Sequence, residues 1–247
     1  MNKLKEIEFW EKYYLEQMEF MLLKDKNKMI NALNSKDEIK DDRIEVFRKK
    51  TCDIDRGAER IYYWLFNNLG IPNSTPIGSD LLFETSNAFI HNDVKTSSYY
   101  YFNKKKKRRE INRTDFFGVV SVGENQTSYK FVDNNNNTHT SNLPTIYKTN
   151  NKLCLTYIIQ LIYDKAVDGN LIIQALILIS IPNGKLKKIY GDSICGGSKN
   201  KGEAFRYYYR TNPYFKSLEK TPLRIKILYL HDLFINREED IIGFKIS

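Results

Sequence analysis

The chain reads as an α/β protein with a central mixed sheet flanked by helices, and three observations carry that reading. Apolar residues near the N-terminus recur at helical spacing. Two short alternating segments, 80–85 and 88–95, meet at a polar turn. Two long apolar runs, 153–163 and 171–181, have strand length and polar borders. Helices, then a hairpin, then more strands is the order of a mixed domain around one sheet.

Leu4, Ile7, Trp10, Tyr14, Met18, Met21 and Leu22 recur every three or four residues, which predicts an amphipathic helix against a core. Residues 36–42 form a charged connector. Asp55 is a good N-cap. Ala58, Ile61, Tyr62, Leu65 and Leu69 then give a second helix its stripe, and Gly70 stops it. Residues 71–79, with Pro72 and Pro76, form a turn-rich approach to the hairpin. Residues 96–115 are polar and strongly basic. Strands are expected at 117–122 and 129–132, with a low-complexity loop tip at 134–137. The two longest strands are separated by Asp168-Gly169-Asn170. Residues 191–202 read as a loop, 204–210 as an aromatic and basic strip, and 223–230 as a last strand or a short helix. No internal repeat is visible.

At 247 residues the chain fits one domain, with a helical extension over 1–50, a core over 51–185 and a C-terminal part over 186–247. Apolar residues make up 41%, enough for a sizeable core, and the formal charge of +9 favours an anionic partner, nucleic acid or an acidic membrane. The longest apolar run is interrupted by Gln174 and is too short to span a bilayer, and the N-terminus has no secretory apolar region. Cys52, Cys154 and Cys195 form no C-x-x-C pair. Neither a zinc site nor a disulfide framework is suggested, and a cytoplasmic location is the default.

The hairpin carries the chemistry. Across a two-residue turn, the numbers of opposed positions add to a constant. That constant is the same for 86 and 87 as for 80 and 93, so Asp80 faces Asp93. Directly opposed residues have Cβ atoms roughly 4.5–5.5 Å apart, where like charges destabilise the pair. A shared divalent cation would resolve the conflict. Alternation adds Lys95 to the same face, while Leu81, Phe83, Ala88, Ile90 and Val94 face a core and leave the acidic face accessible. The plainer alternative is a half-exposed hairpin with solvated or ion-paired charges, which is what most isolated D-x-K tripeptides are.

Phosphodiester hydrolysis needs an activated water and charge neutralisation at phosphorus. Asp80 and Asp93 would hold Mg²⁺, with the Val94 carbonyl as an extra ligand. Lys95 would orient the water and stabilise developing charge.

An acid, a short spacer and then D-x-K at the end of the next strand resembles the PD-(D/E)xK nuclease superfamily. The stretch from Arg56-Gly57-Ala58-Glu59, through Pro72 to Asp80, to Asp93-Val94-Lys95-Thr96 is similar in particular to type II restriction endonucleases. The motif region covers about 40 residues, and Ser79 stands where the motif name has Pro. The resemblance implies a restriction-endonuclease-like central mixed sheet, a Mg²⁺ cofactor, double-stranded DNA cut at short specific sequences, and a homodimer. Glu59 matches the preceding-helix glutamate of many members. Equally, it is an acid placed to favour a helix dipole. Glu84 reads as a solvated edge residue.

Several segments are candidate DNA contacts. The run Lys104, Lys105, Lys106, Lys107, Arg108 and Arg109 would neutralise phosphates beside a nuclease hairpin, although such runs are most often solvated loops. Asn125 and Gln126 could pair with adenine in the major groove, although loop amides more commonly form turns. Arg206 and Arg210, interleaved with tyrosines, offer a second strip. Gly191 to Ser198 misses a Walker A loop, because Gly197 stands where the lysine should be, so no nucleotide cofactor is expected. His91, His139 and His231 have no metal spacing, and a satisfied strand histidine is the expectation for His91. A repair or junction nuclease of the same fold and a non-catalytic basic binding module remain alternatives.

Overall fold

The structure is a computed structural model that describes residues 2–24, 26–34, 58, 62, 80–112, 117–132, 136, 138–147, 151–168, 170–191, 195–197, 204–219 and 222–246. The connector at 36–42, Glu59 and the approach at 71–79 lie outside them. Of the second expected helix only Ala58 and Tyr62 are described, and both are helical and fully buried.

Two helices come first, α1 (Lys3–Lys24) and α2 (Lys26–Asn34). Leu15, Met18 and Leu22 of α1 and Met29, Ile30 and Leu33 of α2 are buried in one cluster. The sequence pattern does not announce α2; its three buried apolar residues, spaced i, i+1 and i+4, are too few to stand out in a polar window.

The strands follow in chain order. Hairpin β1 (Leu81–Glu84) and β2 (Ala88–Ser98) leads directly into a second hairpin, β3 (Tyr100–Asn103) and β4 (Arg108–Ile111). Then come β5 (Val120–Gly123), the short pair β6 (Phe131–Val132) and β7 (Thr138–His139), the long β8 (Leu153–Lys165) and β9 (Leu171–Ile181), the small strands β10 (Cys195–Gly197) and β11 (Ala204–Tyr207), and β12 (Ile225–Leu230). Segment 223–230 therefore resolves as a strand, and part of the expected loop 191–202 is a strand as well.

The main sheet has the order β1-β2-β8-β9-β12. β2 and β8 run parallel over their full overlap, and the other neighbours are antiparallel, so the sheet is mixed as expected. One face carries Leu81, Ile90, Leu155, Ile159 and Leu178 into the cluster under α1 and α2. The other presents Ile158, Ile162, Ala175 and Ile177 to a second, three-stranded sheet of order β10-β11-β5, through Val120, Val122, Phe205 and Tyr207. The acidic end of the hairpin meets the turn that follows β5 through Gln126.

Within the basic stretch, residues 100–111 form a hairpin. β3 and β4 pair, with Tyr101 opposite Glu110 and Asn103 opposite Arg108. The Asn103 side-chain oxygen accepts from the backbone of Lys105 and Lys106 at 3.1 Å, and Lys107 closes the turn at φ 49°. Glu110 accepts from Asn103, Arg108 and Tyr101 at 2.8–3.0 Å and pairs with Lys106 at 3.0 Å. Hydrogen bonds led by Asn103, and joined by its cationic neighbours, hold its carboxyl down at about 2.

α1 is fastened by polar groups that its apolar pattern does not announce. Glu8, Glu11 and Arg224 are fully buried. Arg224 donates to Glu11 at 2.6 Å, to the Tyr190 hydroxyl at 2.7 Å and to Ser180 at 3.2 Å, and its guanidinium lies 4.1 Å from the Phe215 ring centroid. Glu8 accepts from the backbone of Lys216 and Ser217, and Glu11 from Asn183. Burial raises the Glu11 carboxyl against the opposing pull of Arg224. Buried charges persist only when paired and hydrogen-bonded in this way. Among the described residues no helix is long and apolar enough to cross a membrane.

Candidate active site

β1 and β2 pair Leu81 with Asn92, Leu82 with His91, Phe83 with Ile90 and Glu84 with Phe89. Continued by one residue, this register sets Asp80 against Asp93. Asp80 occupies a bend at the start of β1. Its carboxylate accepts the backbone N–H of Val94 at 2.7 Å, which ties it to the neighbouring strand. Asp93 Oδ2 lies 2.5 Å from Lys95 Nζ. The structure thus brings Asp80, Asp93 and Lys95 together at one end of β1 and β2.

The two faces of the hairpin divide as expected, except in one respect. Leu81, Phe83, Ala88, Ile90 and Val94 enter the helix-covered core. The acidic face is not open, however. Leu82 and Phe89 are buried with Leu143, Tyr147 and Cys154, and Asp93 itself is wholly buried. Leu143 and Tyr147, and Gln126 over Asp93, cover this face, which the hairpin sequence alone could not reveal. Lys95, with its side chain 30% exposed, remains in contact with solvent.

Burial raises the Asp93 carboxyl well above the usual carboxylate range. Lys95 pulls it down, while Asp80, by charge and by a side-chain hydrogen bond, pushes it up. His91 is fully buried and stacks on Tyr147 with centroids 5.5 Å apart. Within the described residues neither of its ring nitrogens has a hydrogen-bond partner, contrary to the expectation of a satisfied histidine. Burial pulls it down to about 4, against the charge of Asp80, so the ring is neutral near pH 7. Glu84 is exposed as expected and pairs with Lys152 at 2.5 Å.

Gln126 is the residue whose place differs most from expectation. β5 ends at Gly123, and the 3-10 turn Glu124–Gln126 carries the glutamine to Asp93 and Lys95. Its amide nitrogen donates to Asp93 Oδ1 at 2.5 Å. Its amide oxygen accepts from Lys95 Nζ at 3.3 Å and from the Gly123 N–H at 2.6 Å. Both ends of the amide are engaged, so in this structure it is not free to read a base edge. No local signal marks Gln126, because the contact spans more than thirty residues and two sheets.

Lys104, Lys105, Lys106 and Lys107 form the exposed tip of the β3–β4 hairpin. Arg109 is taken up by Asp164 and lies 4.6 Å from the Tyr100 ring centroid. Arg206 sits on β11 opposite Ser121, between the buried Phe205 and Tyr207, so it points away from the core. Arg210 is exposed next to Tyr208, and Asn125 is half-buried.

Two carboxylates and a backbone carbonyl are hard oxygen donors, the set that suits Mg²⁺, which commonly uses one or two carboxylates with the remaining positions left to water and substrate oxygens. Among the described residues no group of three or more His, Cys, Asp or Glu is placed to hold a metal ion, so the candidate donors are the aspartate pair and the Val94 carbonyl.

The family model described as "Type II restriction enzyme MwoI, N-terminal domain" matches residues 3–168, and the one described as "Type II restriction enzyme MwoI, central domain" matches residues 173–230. The gap between the two, residues 169–172, reaches into the start of β9, and both matched segments contribute strands to the main sheet. A search of curated proteins returns no match. The tetrameric restriction endonuclease SfiI, bound to cognate DNA, is similar in fold over 92% of this chain and 86% of its own, with a TM-score of 0.61 and 14% identity. The restriction endonuclease BglI, bound to its DNA recognition sequence, aligns over 85% of this chain and 94% of its own, at a TM-score of 0.45 and 15% identity. Since the first family model alone spans more than half of the sequence, the chain belongs to the MwoI family of type II restriction enzymes.

Proposed function

We propose that this member of the family is a Mg²⁺-dependent endonuclease of the PD-(D/E)xK type, hydrolysing phosphodiester bonds at a specific short sequence in double-stranded DNA as a homodimer. One observation carries the reading: an aspartate pair meets at one end of a hairpin with an ammonium 2.5 Å from the buried member. Outside such a site the arrangement is unfavourable, because burial and a like charge both oppose ionisation of Asp93.

Asp80, Asp93 and the Val94 carbonyl would hold the cation, and Glu59, from the preceding segment, would add a further acid. When bound, Mg²⁺ supplies charge neutralisation at the scissile phosphate and a more acidic water. Lys95 then orients the attacking water and stabilises the negative charge that develops on the phosphoryl oxygens. Asp93, fixed from both sides, keeps that ammonium within reach. The Lys104–Lys107 turn with Arg108 and Arg109, together with Arg206 and Arg210, contributes the phosphate-facing charge. Asn125 is the candidate for base contact.

Digestion of a sequenced plasmid with Mg²⁺, and in parallel with EDTA, tests the reading. Discrete fragments with ends at one recurring sequence, formed only with metal, support it. Cutting confined to branched or damaged DNA would favour a repair or junction nuclease. Salt-sensitive binding without cleavage under any metal would favour a non-catalytic module.

A further inference from the structure

We propose that Gln126 is a positioning residue of the hydrolytic site, fixing the buried carboxylate of Asp93 and the ammonium of Lys95 in one geometry through its side-chain amide. The inference rests on the reading of Asp80, Asp93 and Lys95 as that site.

An amide has two unlike ends, and here each meets its electrostatic complement. The NH₂ end faces the Asp93 carboxylate at 2.5 Å, and the oxygen faces the Lys95 ammonium at 3.3 Å. Turning the amide over would set donor against donor and acceptor against carboxylate, so its orientation follows from the neighbours. The Gly123 N–H, 2.6 Å from the same oxygen, anchors the amide to the backbone of its own turn. Gly123 has φ −67° and ψ 157°, a conformation open to any residue. Yet a Cβ there would fall 2.9 Å from Gln126 Oε1 and 2.8 Å from Asn125 Oδ1. Its missing side chain makes room for the amide rather than for an unusual backbone.

The positioning has a chemical purpose. Asp93 and Lys95 are two residues apart on β2 and pair directly. Left alone, a flexible lysine would follow the carboxylate. A neutral donor on Oδ1 holds the carboxylate without neutralising its charge, and the amide oxygen gives the ammonium a second, fixed partner. Groups that orient metal ligands in this way typically change metal affinity or activity by about 10–100-fold when removed.

The test compares the full-length wild type with Gln126→Leu, Gly123→Ala and Asp93→Asn. Three quantities are read: the single-turnover cleavage rate, in Mg²⁺, of a duplex carrying the site mapped for the wild type; the Mg²⁺ midpoint of the rise in Tm without DNA; and, in EDTA, binding of the same duplex. Positioning predicts that Gln126→Leu lowers the rate and raises the Mg²⁺ midpoint of Tm by about 10–100-fold each, with duplex binding unchanged. Gly123→Ala moves both in the same direction, because its methyl displaces the amide without straining the backbone; it serves if the leucine variant does not fold. An unchanged rate and Mg²⁺ midpoint, with only a lower starting Tm, would overturn the proposal in favour of a structural tie between sheets. Weakened duplex binding at an unchanged rate would overturn it in favour of base reading. Wild-type cleavage by Asp93→Asn would overturn the reading of the site itself, and the role of Gln126 with it.

Discussion

The Val94 backbone N–H donates to the Asp80 carboxylate at 2.7 Å. The residue between Asp93 and Lys95 thus anchors the first aspartate through its main chain while its side chain is buried in the helix-covered core. Asp80 is thus tied to the main chain of the neighbouring strand. Asp80→Asn keeps an oxygen able to accept that bond but removes the charge. It is expected to lower the Mg²⁺-dependent cleavage rate by about 10²-fold or more, the scale on which preorganised electrostatic groups act, with a melting temperature close to wild type. Single-turnover rates and thermal melts check both parts.

The raised carboxyl of Asp93 makes a prediction about stability. A carboxyl whose folded value lies above its unfolded value favours the folded state below the ordinary carboxylate range, near 3.8, and loses that contribution as pH rises through the folded value. In metal-free buffer the Tm of Asp93→Asn minus that of wild type should therefore grow as pH is raised above the ordinary carboxylate value of 3.8 towards the folded one. Mg²⁺ should raise the Tm of wild type and leave that of Asp93→Asn nearly unchanged. Melts over a pH series, with and without metal, measure both.

The basic hairpin separates into cations already paired and cations facing solvent. Lys106 and Arg108 pair with Glu110, and Arg109 with Asp164, which leaves Lys104, Lys105 and Lys107 the better placed for phosphates. Each phosphate contact adds about 0.9 to the slope of log K against log salt on B-DNA. Changing these three lysines to glutamine should flatten the slope by roughly one per lysine. The single change Arg109→Gln should alter it less. Fluorescence anisotropy with labelled duplex across a salt series separates the two.

Arg224 is the polar pin of α1. Arg224→Met leaves Glu8 and Glu11 buried without their cation, and breaking such a pair from one side typically costs about 3–5 kcal/mol. Denaturant unfolding should show that loss. Replacing Glu8 and Glu11 with apolar side chains as well should not restore the loss in full, because the backbone N–H groups of Asn183, Lys216 and Ser217 would then lose their acceptors.

Local pattern made some of these features legible. Strict alternation and the two-residue turn were enough to set Asp80 against Asp93 and Lys95 on the same side, because register follows from turn length. The long apolar runs gave β8 and β9, with β9 matching its expected bounds. What stayed hidden depends on contacts distant in sequence. Glu8 and Glu11 look like solvated helix residues until Arg224, more than two hundred positions away, meets them. The β3–β4 hairpin is concealed by its lysines, since Glu110 and Asn103 rather than an apolar face hold its turn. The position of Gln126 over Asp93 follows from the turn after β5 meeting the hairpin, which pairing rules within one hairpin do not contain.

Plasmid cleavage by wild type and Asp93→Asn, side by side in Mg²⁺ with folding of both verified by thermal melts, is the most direct measurement. The account predicts a discrete fragment pattern from the wild type and uncut DNA from a folded Asp93→Asn. Equal fragment patterns from the two proteins would contradict it.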